Sequence, residues 1–85
     1  MSSWRSSVLN GRGVQDVNIT LGDVRVKSRV VASITEVNAN GEPMLGTAGL
    51  MIYSVAPYDG GVWVKVEIKW ERELPYRLTI FWENP

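Results

Sequence analysis

Between Met44 and Tyr58 the chain reads MLGTAGLMIYSVAPY, without one charged side chain. A strand points successive side chains to opposite faces, so Leu50-Met51-Ile52-Tyr53 makes both faces of a strand apolar. Both faces then need a cover. The remainder of the chain, a second copy of it or a ligand can provide one, and that choice is the functional question the sequence raises. Taken alone, the pattern describes a soluble all-β domain without naming its task.

With 85 residues, the chain is expected to form a single domain over 1–85, with the first residues, MSS, frayed. A domain of this size buries only about 60–65% of the surface its unfolded chain exposes, so association is one route to added stability. Cysteine and histidine are both absent. That removes disulfides, thiolate zinc sites and the side chain best suited to proton transfer near neutral pH. Catalysis would fall to carboxylates, Lys, Tyr or Ser, and no nucleophile and base stand out among them, so the expectation is a protein that is not an enzyme and has no cofactor.

Nine basic residues balance nine acidic ones, which leaves no overall field to attract nucleic acid or an anionic membrane. The N-terminal MSSWRSSVLNGRG lacks a long apolar run, and the charge-free stretch is too short and too interrupted by Gly to span a membrane. A cytoplasmic location is the default expectation.

Period-two alternation punctuated by Gly, Pro, Asn and Asp predicts strands near 3–9, 14–21, 24–37, 44–56, 62–72 and 76–83. The links between them are Asn10-Gly11-Arg12-Gly13, Gly22-Asp23, residues 38–43, residues 57–61 and Glu73-Leu74-Pro75. All are short. Short links favour antiparallel pairing of successive strands, so the expected fold is a compact antiparallel meander of about six strands, closed as a small barrel or a two-layer sandwich. The third strand is long enough to need a bend near Val30-Val31.

Val62, Val64, Val66, Ile68 and Trp70 share one face of the fifth strand, while Trp63, Lys65, Glu67 and Lys69 share the other. In the last strand Tyr76, Leu78, Ile80 and Trp82 alternate with Arg77, Thr79, Phe81 and Glu83. Paired as a hairpin, these strands bring Trp63 and Phe81 near each other on the outward face. A two-residue turn at Asp59-Gly60 sets Val55, Tyr53 and Met51 against Val64, Val66 and Ile68, and turns Leu50 and Ile52 outward. The expected result is an apolar strip of Leu50, Ile52, Trp63 and Phe81, rimmed by Lys65, Glu67, Lys69 and Arg77.

Such a strip can lie under the N-terminal strands, between two copies, or beneath a flat ligand. The leading expectation is a non-catalytic protein-interaction module that self-associates through this apolar face, foremost as a dimer. The rival is a small-ligand or carbohydrate-binding domain in which Trp63 and Phe81 stack on the ligand. Trp70 and Trp82 read as core anchors, whereas Trp4 lies in a segment too polar to place.

Other candidates are better explained without a site. Arg25, Lys27 and Arg29 alternate as a basic ladder, but neutral overall charge favours a solvated face over a phosphate groove. Glu67 and Glu71 are interleaved with Lys65 and Lys69, which suits ordinary ionised carboxylates better than an acid–base pair. Asn38, Asn40, Glu42 and Asp59 fit turns better than a Ca²⁺ loop, so no metal is expected. Gly46 and Gly49 read as a curl or a close approach within a strand.

Overall fold

The computed structural model describes residues 2–46 and 48–85, which form six strands and no helix: β1 (Ser2–Gly11), β2 (Gly13–Thr20), β3 (Arg29–Glu36), β4 (Gly49–Tyr58), β5 (Gly61–Lys69) and β6 (Leu74–Glu83). They build two antiparallel three-stranded sheets, ordered β1-β6-β3 and β2-β5-β4, packed together as a small sandwich. The all-β architecture expected from the alternation is the one observed. Of the MSS segment, Ser2 and Ser3 lie in β1 opposite Glu83 and Trp82, while Met1 lies outside the described residues, as does Thr47 of the expected strand 44–56.

The two sheets share one plan. β1 continues into β2 across Arg12, β5 continues into β6 across residues 70–73, and β3 leads to β4 through residues 37–48, so each of three long lanes runs from one sheet into the other. The middle lane pairs with both of its neighbours in each sheet. At the crease the Arg12 guanidinium donates to the Glu71 carbonyl at 3.0 Å, and the Val37 amide donates to the Pro75 carbonyl at 3.2 Å. Gly13, at φ 72°, takes the left-handed conformation that lets the first lane fold over. Asn10-Gly11-Arg12-Gly13 is therefore a passage between sheets.

The reason lies in the two most apolar strand faces. Val62, Val64, Val66 and Ile68 of β5 are fully buried, and Tyr76, Leu78, Ile80 and Trp82 of β6 nearly so. As central strands of facing sheets, β5 and β6 bury these faces against each other. A β5–β6 hairpin would set both on one sheet and leave the more polar N-terminal strands to cover them. The expected β5–β6 hairpin, with Trp63 and Phe81 near each other on one face, is thus not formed, and β4–β5 is the hairpin that joins consecutive strands. Its Asp59-Gly60 turn has Gly60 at φ 104° and is tied down by Leu21 N to Gly60 O, Gly60 N to Val24 O and Val26 N to Asp59 Oδ1. These bonds seat Leu21 and Val24 over one end of the core.

The β4–β5 register follows the alternation from Tyr58 opposite Gly61 to Val55 opposite Val64, then slips. Ser54 pairs with Lys65 and Ile52 with Val66, leaving Tyr53 as the extra residue of a β-bulge. One extra residue inverts the side-chain parity, so Leu50 and Ile52 turn into the core and Met51 and Tyr53 turn out. This corrects the expected orientation of four residues at once. The third strand is also shorter than its alternation suggests, because residues 22–27 form turns and only Arg29–Glu36 pairs with β6. Arg25 folds back onto the carbonyls of Gly22 and Val24, so Arg25, Lys27 and Arg29 make no ladder.

Two buried aromatic side chains of β6 make polar ties at the margins of the core. The Tyr76 phenol donates to Gln15 Oε1 of β2 at 3.3 Å, linking the two sheets, and the Trp82 indole donates to Asp23 Oδ2 in the β2–β3 connection at 3.2 Å. Burial of Tyr76 raises its pKa above the usual tyrosine value, because the phenolate would lose its hydration.

Two expectations follow. Deleting Tyr53 regularises the ladder and preserves the fold, whereas deleting Met51 makes Leu50 and Ile52 adjacent and expels one of them. The second deletion should cost roughly 1–2 kcal/mol for a half-buried aliphatic side chain, read from denaturant midpoints. Equal losses for both deletions would contradict the bulge. At alkaline pH the unfolded Tyr76 ionises first, so the Tyr76 contribution is complete below about pH 10 and declines as pH rises towards its higher folded pKa. Stability should fall over this range with a shallower slope in Tyr76→Phe, as measured by urea unfolding at stepped pH.

Candidate functional site

The outer face of the β1-β6-β3 sheet carries an apolar row. Trp4 lies opposite Phe81, and Phe81 opposite Val31, so one side chain from each strand stands in line across the sheet. Trp4 and Val31 are each 66% exposed and Phe81 45%. The next row is Ser6, Thr79 and Ser33, with Ser6 Oγ and Thr79 Oγ1 2.7 Å apart, and the one after is Val8, Arg77 and Thr35. On the other flank Arg29 lies opposite Glu83. Two aromatics and a valine therefore form an exposed centre with small hydroxyls on one side and charges beyond, the layout of an interaction patch. A shallow cleft of about 240 Å³ runs beside it, lined by Arg29, Val31, Phe81, Trp82 and Glu83.

The outer face of the β2-β5-β4 sheet carries Asp16, Lys65, Glu67 and Lys69, with the exposed Val14 and Met51 on either side of Glu67. Trp63, 47% exposed, lies between Asn18 and Ala56. Next to it, Lys65 Nζ forms an ion pair with Asp16 Oδ1 at 2.9 Å. Trp63, Asp16, Lys65, Ser54, Ala56 and Val64 line an open cleft of about 330 Å³. The Tyr53 phenol donates to the Glu67 carboxylate, and that bond, with a smaller effect of burial and of the Glu67 charge, raises the Tyr53 pKa. Tyr58 likewise donates to Asn18 Oδ1. Lys65 with Asp16, Tyr53 with Glu67 and Tyr58 with Asn18 are thus paired across the face, as in a solvated sheet.

The strip expected from the sequence is consequently divided. Leu50 and Ile52 pack into the core, Trp63 stands on one outer face, and Phe81 stands on the opposite one. Its rim divides too: Lys65, Glu67 and Lys69 accompany Trp63, and Arg77 accompanies Phe81. Trp4, Val8 and Val31 are the patch residues that sequence reasoning did not reach. The signal for Trp4 was weak, since Trp4 and Val8 are the only large apolar residues among Ser2, Ser3, Arg5, Ser6 and Ser7. Val31 was hidden inside an overlong predicted strand.

Turn chemistry accounts for the 38–43 loop. Asn38 Oδ1 accepts the amides of Asn40 and Glu42, and Gly41 sits at φ 78°. Among the described residues no group of three or more acidic side chains is placed to hold a metal ion. Gly46 precedes β4 and lies against the Glu36 carboxylate, whose buried Oε1 has no hydrogen-bond partner among the described residues. A cleft of about 280 Å³ at this position has Glu36 and Thr35 in its wall beside Ile34, Met44, Leu45 and Leu50.

Compared with known proteins, the chain matches no family model, and no curated protein or solved structure is significantly similar to it. Its function has to be argued from its own surface.

The Asp16–Lys65 pair tests how far electrostatics hold the Trp63 face. Both partners are about half exposed, so their coupling in a double-mutant cycle with Asp16→Asn and Lys65→Gln should stay below about 1 kcal/mol and shrink towards zero in about 1 M salt. A larger, salt-insensitive coupling would mean that this face is far less hydrated than its exposure suggests.

Proposed function

We propose that this protein is a non-catalytic interaction module that self-associates through the β1-β6-β3 side of the sandwich, with Trp4 and Phe81 at the apolar centre. The observation that carries this reading is the Trp4–Phe81–Val31 row, apolar and exposed across the full width of the sheet. Water is displaced from such a row most effectively by another apolar surface. The balanced total charge imposes no net repulsion between copies. Aromatic anchors flanked by small hydroxyls and a charged rim also match the usual anatomy of a protein interface.

A second reading belongs to the other face. The partly exposed Trp63 indole beside the Asp16–Lys65 pair and Ser54 suits a sugar ring, which stacks on an aromatic and hydrogen-bonds at its edge. Phe81 takes no part in that version, because it lies on the opposite face.

Light scattering coupled to size-exclusion chromatography over a wide concentration range tests the first reading. The wild-type protein should be dimeric, and Trp4→Glu should raise the dissociation constant roughly 30-fold or more, the effect of losing an aromatic anchor worth about 2 kcal/mol. Trp63→Glu should keep the wild-type mass. A monomer at every concentration would remove self-association. Quenching of tryptophan fluorescence by glucose or N-acetylglucosamine oligosaccharides, abolished in Trp63→Ala, would favour the second reading.

A further inference from the structure

The four sheet edges are unequal. β3 and β4 run close together along one side of the sandwich, and β4 is further interrupted by the Tyr53 bulge and Pro57. On the opposite side β1 and β2 make no comparable approach to each other, and each pairs on one side only. β1 is ten residues long, contains neither proline nor a bulge, and has Arg5 as its one charge. A long, unbroken edge of unpaired backbone groups is a template for another strand.

The sequence of β1 is self-complementary about Ser6. A two-fold axis through Ser6, perpendicular to the sheet, sets Trp4 of one copy opposite Val8 of the other, and Val8 opposite Trp4. All four side chains stand on the outer face, where Trp4 and Val8 are otherwise exposed. The same register places Arg5 opposite Ser7, so like charges do not face each other. The corresponding registers of β2 on itself oppose Asp16 to Asp16 or set Val14 against Thr20, which disfavours that edge.

We infer that a second copy of this chain pairs antiparallel along β1, centred on Ser6, joining two β1-β6-β3 sheets into one of six strands. The inference rests on the self-association reading and specifies its geometry. Across the junction the apolar row then runs Val31, Phe81, Trp4 and Val8 of the second copy. It is an isologous interface, in which each copy offers the same edge and the assembly closes as a dimer.

The absence of cysteine makes disulfide trapping a clean test. Opposed residues in an antiparallel ladder have Cα atoms about 4.5–5.5 Å apart, within the span of a disulfide. Under mild oxidation Ser6→Cys should become mostly covalent dimer, while Thr79→Cys, on the central strand, should stay monomeric on a denaturing gel. In the wild-type protein, amide exchange in β1 should slow as concentration rises, with β3 unchanged, and this second readout does not depend on any variant folding. A dimer that Thr79→Cys traps and Ser6→Cys does not, without concentration-dependent β1 protection, overturns edge pairing while keeping self-association through stacked faces. A wild-type monomer throughout overturns both and leaves the edge to an extended segment of a different protein.

Discussion

The structure depends on the burial of two strand faces against each other. Val62, Val64, Val66 and Ile68 on β5, and Tyr76, Leu78, Ile80 and Trp82 on β6, are the most continuous apolar stripes in the chain, and they lie almost wholly out of water. Two such stripes bury most area when they face each other from separate sheets. Once β5 and β6 are the central strands, every other strand becomes an edge, and the lanes on either side must cross the crease with them. The Arg12–Glu71 and Val37–Pro75 hydrogen bonds stitch that crease on both flanks.

A single residue then decides what the outer surfaces contain. The extra residue at Tyr53 inverts the parity of β4, so one face of the doubly apolar stretch is covered and the other is not: Leu50 and Ile52 lie inside, Met51 and Tyr53 outside, with Tyr53 held by Glu67. The bulge also interrupts the β4 edge. On the β1-β6-β3 sheet the exposed apolar side chains line up, with Trp4 and Val31 flanking Phe81, whereas on the β2-β5-β4 sheet Glu67 separates Val14 from Met51. Half of the question posed by residues 44–58 is thereby answered within the chain, since Leu50, Ile52 and Val55 are covered while Met44, Leu45, Met51 and Tyr53 stay exposed.

That division shapes the functional argument. Trp63 and Phe81, adjacent in a simple hairpin, occupy opposite faces and cannot serve one site. Each face has its own character: one has an aligned apolar row beside the longer open edge of β1, the other an indole beside the Asp16–Lys65 ion pair. The self-association proposal concerns the first and the sugar-stacking proposal the second, so the two make separate demands on separate residues.

Strand content, the inward faces of β5 and β6, the Asp59-Gly60 turn and the anchoring role of Trp82 were legible in the sequence, because alternation and turn chemistry are local properties carried by neighbouring residues. Sheet membership was not legible. Two alternating strands joined by a short link look the same whether the link is a hairpin or a crossing between layers, and the difference is decided by which stripes bury each other. The bulge escaped for a related reason: where Leu50-Met51-Ile52-Tyr53 is apolar at every position, alternation loses its phase, and only the partner strand fixes it. Trp4 escaped because β1 is mostly polar on both sides, and its exposure follows from pairing with β6. Local patterning alone determined an all-β chain with two strong core strands; tertiary packing decided the two sheets, the sidedness of β4 and the place of the exposed apolar row, since each depends on contacts between residues far apart in the chain.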